Sequence, residues 1–337
     1  MGPAKRQRRS DAEEPAKAPI PIIVDTDPGV DDVMAIALAF TSPEEVDVIG
    51  LTTMYGNVRT PMATTNALHL LELADRADVP VAQGALGPIR GGVKERIADF
   101  VHGSDGLGNT GVPSPNGTKH AKSAAEFIVD QANVRPGEVV LVALAGLTNV
   151  ALALHLDPEL KTKLKKVVIL GGAFTCNGNV NPAAEANIFS DPEAADLVFG
   201  SGLPIDVVGL DVTTKCILTG KQLKELGASE SRFGKYTESI CEFYRAYHVK
   251  SYGLDGVYLH DPAAMVMVFR EELFEFKSGA VRVEVAEGVM RGKTLLDEGE
   301  KKWVGSNPWM DRPKVRVALR CDTERVTEEI FARLARS

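Results

Sequence analysis

From Ile20 onward, short apolar runs alternate with stretches of helical character, and this rhythm constrains the fold more than any other feature of the chain. Apolar runs at Ile20 to Val24, Val46 to Thr53, Val79 to Ala82, Val139 to Ala145, Val167 to Leu170 and Ile205 to Leu210 read as buried strands. Between them, Asp31 to Phe40, Pro61 to Ala74, Ala124 to Asn133, Thr148 to His155 and Pro192 to Phe199 read as helices. Strand–helix alternation of this kind predicts an α/β fold: an open, mainly parallel sheet with helices on both faces. Ligands of such sheets sit at the carboxyl ends of the strands.

After Asp211 the pattern changes. Gly220 to Leu226, Ser231 to Tyr247, Pro262 to Phe269 and Thr323 to Ala335 read as helices, and Val281 to Glu287 and Lys314 to Leu319 as strands. No linker, internal repeat or low-complexity tract divides the chain, so residues 20–337 read as one catalytic domain. Residues 1–19 read as a disordered basic tail around Lys5-Arg6-Gln7-Arg8-Arg9. That tail lacks the apolar core of a signal peptide and is compatible with a nuclear address.

Bulk properties narrow the function classes. The chain is 44% hydrophobic and 25% charged, with no run of 18 apolar residues, so no membrane span is expected. A net charge of −8 argues against a nucleic-acid surface. Cys176, Cys216, Cys241 and Cys321 form no CxxC pair and read as reduced thiols of a cytoplasmic protein.

The chemistry gathers just after the strands. The first run delivers Asp25, Asp27, Asp31 and Asp32 within eight residues. Later runs deliver Asn57, Asn149, the set Asn179, Glu185 and Asn187, and Asp211, all expected on one rim of the sheet. Four converging carboxylates repel one another and need a cation or strongly raised pKa values. Oxygen ligands without a nearby cysteine suit magnesium or calcium. Pro28-Gly29 forces a tight turn between Asp27 and Asp32. Asp31 and Asp32 fit simple helix capping as well.

Asp25-Thr26-Asp27-Pro28-Gly29-Val30-Asp31-Asp32 resembles the amino-terminal signature of the inosine–uridine-preferring nucleoside hydrolases. Gly56-Asn57, His102-Gly103, Gly146-Leu147-Thr148-Asn149, Gly171-Gly172, Asn179, Glu185-x-Asn187 and His260-Asp261-Pro262 follow in the family's order. The segment Tyr252 to Tyr258 has a plant-like character. The resemblance implies a calcium-dependent ribohydrolase that splits nucleosides such as uridine, inosine or xanthosine into ribose and free base. It implies calcium ligation by Asp27, Asp32, Asp261 and the Leu144 carbonyl, with Asp27 as general base and Asp25 supporting from behind. Asp31, Asn57, Asn179, Glu185 and Asn187 would bind the sugar. His260 would protonate or hydrogen-bond the departing base, and His102 is a second contact for it. Tyr244, His248 and Tyr252 are candidates for the base side. The family's frequent phenylalanine between the paired Glu and Asn is here Ala186, which puts the stacking surface in doubt. A homodimer or homotetramer is also implied.

The remaining polar residues have plainer readings. Asp211 and Thr214 read as caps, Glu185 also fits a cap, and His69, His120 and His155 read as structural. Haloacid-dehalogenase-like phosphatases also open with an apolar strand and Asp-x-Asp. They want Thr or Val where this chain has Gly29. A non-catalytic nucleoside sensor is the other alternative, and the joint presence of Asp27, Asp32, His260 and Asp261 argues against it.

Overall fold

The computed structural model describes residues 18–92 and 97–336. The basic cluster at residues 5–9 lies outside them. Eleven strands occur among the described residues. They are β1 (Ile20–Thr26), β2 (Val46–Thr53), β3 (Val81–Gln83), β4 (Val140–Ala143), β5 (Lys166–Leu170) and β6 (Ile205–Val208). Then follow β7 (Ile217–Thr219), β8 (Gly256–Tyr258), β9 (Phe274–Val283), β10 (Thr294–Asp297) and β11 (Lys314–Cys321). Nine of them form one sheet in the order β10-β9-β11-β6-β5-β4-β1-β2-β3, and β7 pairs with β8.

Every pairing from β3 across to β11 is parallel. The mainly parallel sheet with helices on both faces is therefore present. Strand order reverses between β1 and β4, so the crevice at their carboxyl ends is the natural ligand site. The register sets Asp25 opposite both Thr52 and Ala143, and the Leu144 N–H closes the pair on the Asp25 carbonyl at 2.8 Å.

Side-chain alternation divides the core between the two faces. Ile22 and Val24 of β1 join a cluster with Met34, Leu38 and the helix His260–Phe269. Ile23 points the other way, into a cluster with Phe127, Val150 and Phe199. The helix Val30–Phe40 is apolar on every side because outer helices cover the face it turns from the sheet. No described helix is long and apolar enough to cross a membrane.

The second half departs from the sequence reading. The strand expected at Val281 to Glu287 instead runs Phe274–Val283, antiparallel to β11, and turns back into β10. Segment 284–293 is the connection between β9 and β10. The Glu284 and Lys293 backbones close it, as the Glu284 N–H donates to Lys293 at 2.9 Å.

Candidate active site

Asp25 and Thr26 end β1 on opposite faces, and Asp27-Pro28-Gly29 then turns into the helix Val30–Phe40. Gly29 is the N-cap, and its N–H donates to Asp32 at 3.0 Å. Asp32 therefore does cap the helix, but it does more. Its carboxylate also accepts the Thr26 hydroxyl (2.5 Å), the Asp27 N–H (3.3 Å) and the Asn57 amide (2.9 Å). These donors hold it in one orientation.

Asp31, Asp32 and Asp261 form a buried group whose ligand atoms lie within 4.8 Å of one another. Asp261 arrives from the first turn of the helix His260–Phe269, far away in sequence. Asp27 stands alongside: its Oδ2 accepts the Asn57 N–H at 2.6 Å, and its charge acts on Asp261. The sequence reading placed Asp27 and Asp32 with Asp261; the structure brings Asp31 into the tightest group. Asp25 lies behind them, fully buried, accepting from Thr52 (2.6 Å) and Asn149 (2.8 Å). The Leu144 carbonyl, beside β1 at the switch point, accepts from Asn187 at 2.7 Å.

The electrostatics follow from burial. Loss of water pushes Asp25 up to about 6. Burial, reinforced by the Asp32 charge, pushes Asp31 up to about 7. Asp32 is raised by burial against the pull of its donors. Asp261 is raised well above the carboxylate range by burial and then by the charges of Asp31, Asp32 and Asp27. Such a group keeps protons until a cation replaces them. Its donors are hard oxygens, and Asp31 Oδ1 is buried without a hydrogen-bond partner. The set fits a calcium- or magnesium-like ion.

Carboxyls raised from 3.8 to about 6 and 7 stabilise the cation-free fold at low pH, and that contribution disappears as pH rises toward 7. A bound cation cancels the loss by favouring the ionised forms. The melting-temperature gap between calcium-loaded and chelator-treated protein is expected to be wider at pH 8 than at pH 5. A gap that stays constant across that range, read by scanning calorimetry, would count against cation binding by these carboxyls.

Of the clustered aspartates, Asp31 and Asp261 line a cavity of about 480 Å³. Asp31, Asn57, Asn179, Glu185, Asn187 and Leu144 all line it, as do His102, Tyr244, His248, Tyr252, His260 and Asp261. Asp25, Asp27 and Asp32 lie outside that lining. Several lining residues carry a second task. Glu185 is the N-cap of the helix Ala186–Ser190, accepting the N–H groups of Asn187 and Ile188, and it also accepts Gly172 N–H. Asn179 holds the same turn by accepting Ala186 N–H at 2.9 Å. Asn57 positions both Asp27 and Asp32.

The histidines are fixed by specific partners. His102 Nδ1 accepts Val30 N–H at 3.1 Å and lies 3.8 Å from Asp31, while its ring stacks on Tyr244. His260 Nδ1 lies 2.7 Å from the Thr213 hydroxyl. Burial, followed by neighbouring histidine charge, pushes both His102 and His260 down to about 3. Tyr244 is buried, with its hydroxyl 3.3 Å from Asp31, and Tyr252 is half exposed at the mouth.

Phe100, Phe189 and Tyr247 also line the cavity, and the sequence reading missed all three. Phe189 lies on the same short helix as Ala186. An aromatic surface absent at 186 is thus supplied from the next turn. Asp211 accepts the N–H groups of Phe174 (2.9 Å) and Thr175 (2.7 Å), which makes it a loop anchor.

Comparison with known proteins places this site in a family. The sequence model of the inosine-uridine preferring nucleoside hydrolases matches residues 22–328. Uridine nucleosidase 1 of Arabidopsis thaliana is 52% identical over 313 residues, which span 93% of this chain and 92% of that protein. The solved structure of a plant nucleoside hydrolase superposes with a TM-score of 0.92 at 50% identity, covering 95% of this chain and all of that one. The purine-preferring ribonucleoside hydrolase of Gardnerella vaginalis superposes with a TM-score of 0.86 at 34% identity, over 94% and 98% of the two chains. With its acidic cluster at the switch point of the sheet and these relatives along nearly its whole length, the chain belongs to the inosine–uridine-preferring nucleoside hydrolase family.

Proposed function

We propose that this nucleoside N-ribohydrolase releases free base and ribose from uridine, and from inosine or xanthosine, with a calcium ion held by Asp27, Asp32, Asp261 and the Leu144 carbonyl. The observation that carries this reading is the buried carboxylate group at one end of an aromatic-walled cavity. Cleavage of an N-glycosidic bond passes through a ribosyl group with oxocarbenium character. Asp31, Glu185, Asn179 and Asn187 line the cavity where that positive charge would develop, and the carboxylates favour it. Asp27 is the base that takes the proton of the attacking water, and Asn57 N–H fixes its orientation. Calcium, when bound, supplies positive charge that acidifies the water and orients the ribose. His260 and His102 serve the departing base, and Phe189, Phe100 and Tyr247 give the cavity an aromatic lining for it.

The choice of uridine as a substrate rests on resemblance to the uridine nucleosidase of Arabidopsis thaliana. A homodimer or homotetramer and a cytoplasmic location belong to the same proposal, the former tested by analytical ultracentrifugation. The substrate test is free-base release from uridine, inosine, xanthosine, cytidine and adenosine at saturating calcium, with and without chelator. Uridine is expected to turn over, together with inosine or xanthosine, and chelation is expected to abolish release. Tight binding of all five without turnover would replace the hydrolase reading with that of a nucleoside sensor.

A further inference from the structure

We infer that Thr213 is a positioning residue that fixes the tautomer of His260, so that its Nε2–H is the hydrogen-bond donor that stabilises the leaving base, with no proton transferred from the neutral ring. The inference rests on the hydrolase reading above. Thr213 ends the short helix Leu210–Thr213 and is completely buried. Its neighbour Thr214 turns its hydroxyl back onto the Leu210 carbonyl at 2.7 Å, a common habit of helical threonines. Thr213 does otherwise. Its hydroxyl meets Nδ1 of His260 at 2.7 Å, across 47 residues of sequence.

A hydroxyl has one proton to place. If Nδ1 carried the imidazole proton, the Thr213 oxygen would accept it. Its own proton would then sit in a fully buried position, with no other acceptor bonded to it among the described residues. Buried donors without acceptors are costly and rare. The reverse arrangement satisfies both groups: Thr213 O–H donates to Nδ1, and the imidazole proton sits on Nε2. The other histidines of the cavity show how backbone partners decide the same question. Val30 N–H occupies Nδ1 of His102 at 3.1 Å, so that ring also carries its proton on Nε2. His248 is set oppositely. Tyr258 N–H donates to its Nε2 at 3.3 Å, and its Nδ1 donates to the Tyr244 carbonyl at 2.8 Å, so both of its nitrogens are spent within the fold. Two of the three cavity histidines therefore keep an Nε2–H for a ligand. A departing nucleobase anion, rich in ring-nitrogen and carbonyl acceptors, is the chemistry that such donors fit.

The test combines a structural readout with a kinetic one. In protein labelled with nitrogen-15 at histidine, the His260 signals are identified by their loss in His260→Gln. Wild type is expected to show His260 protonated at Nε2 and bare at Nδ1, and Thr213→Val to lose that preference. Thr213→Val is expected to lower kcat on uridine on the order of ten- to a hundredfold with KM changed by about threefold or less. The kcat loss should shrink to about threefold with 4-nitrophenyl riboside, whose leaving anion is stable without a hydrogen-bond donor. Thr213→Ser, which keeps the hydroxyl, is expected to recover most of the uridine activity. An Nδ1-protonated His260 in wild type, or an equal loss on both substrates, overturns the inference. Wild-type protein that turns over no nucleoside overturns the proposed function, and with it the leaving-group role, whatever the tautomer.

Discussion

Asp27→Asn is expected to lower kcat/KM for uridine by about 10²- to 10⁴-fold while the fold survives. The side chain is 1% exposed, and its Oδ2 accepts the Asn57 N–H at 2.6 Å. An asparagine oxygen can keep that hydrogen bond, so the loop retains its shape. What disappears is a group able to accept a proton from water, together with one negative charge beside Asp31, Asp32 and Asp261. The remaining carboxyls are then free of its repulsion, so Tm in chelator should hold or rise. Unchanged Tm with collapsed kcat locates the loss in chemistry. Near-normal turnover, measured as base release at saturating calcium, would remove Asp27 from the mechanism.

The second large effect arises where no reacting group is altered. Gly56→Ala is expected to cost about 10²-fold or more in kcat/KM, the scale of an ångström misplacement of a catalytic group. A Cβ at position 56 would lie 1.7 Å from Asp27 Oδ2 and 2.8 Å from its Cγ. The carboxylate must swing away, and the Asn57 N–H loses its acceptor. Overpacking at a buried site should also lower stability by about 1–3 kcal/mol. Because Asp27→Asn avoids that clash, the two variants should differ in Tm while sharing the loss of turnover. A Gly56→Ala enzyme with wild-type kcat/KM would show that the Asp27 position tolerates displacement, contrary to its assigned role as base.

The reach of the sequence reading follows the range of the interactions involved. Strands β1, β2, β4, β5 and β6 were legible because both of their faces are buried, which writes them as continuous apolar runs. The two antiparallel strands beyond β11 were harder. In β9, exposed residues such as Glu275, Lys277 and Ser278 dilute the pattern, and β10 is four residues long with pairing on one side only. The aspartates of β1 and the following helix were legible because they are local. The approach of Asp32 to Asp261 was available only through family resemblance, since no spacing rule links residues some 230 positions apart, and that of Asp31 was seen only in the structure. The double role of Glu185 shows a different limit. Cap and cavity lining were treated as alternatives, yet one carboxylate can hold three backbone N–H groups and still border the cavity. Thr213 and Phe189 carried no signal because a threonine beside a second threonine reads as capping or packing, and a phenylalanine on a short helix reads as packing.

The central claim is hydrolysis of the N-glycosidic bond, and the fate of the water oxygen tests it most directly. Uridine is incubated with the calcium-loaded protein in oxygen-18 water, and the products are read at once by mass spectrometry. The account predicts equal amounts of uracil and ribose, with the label in ribose and none in uracil. Label in uracil, or uridine bound tightly and recovered intact, would contradict it.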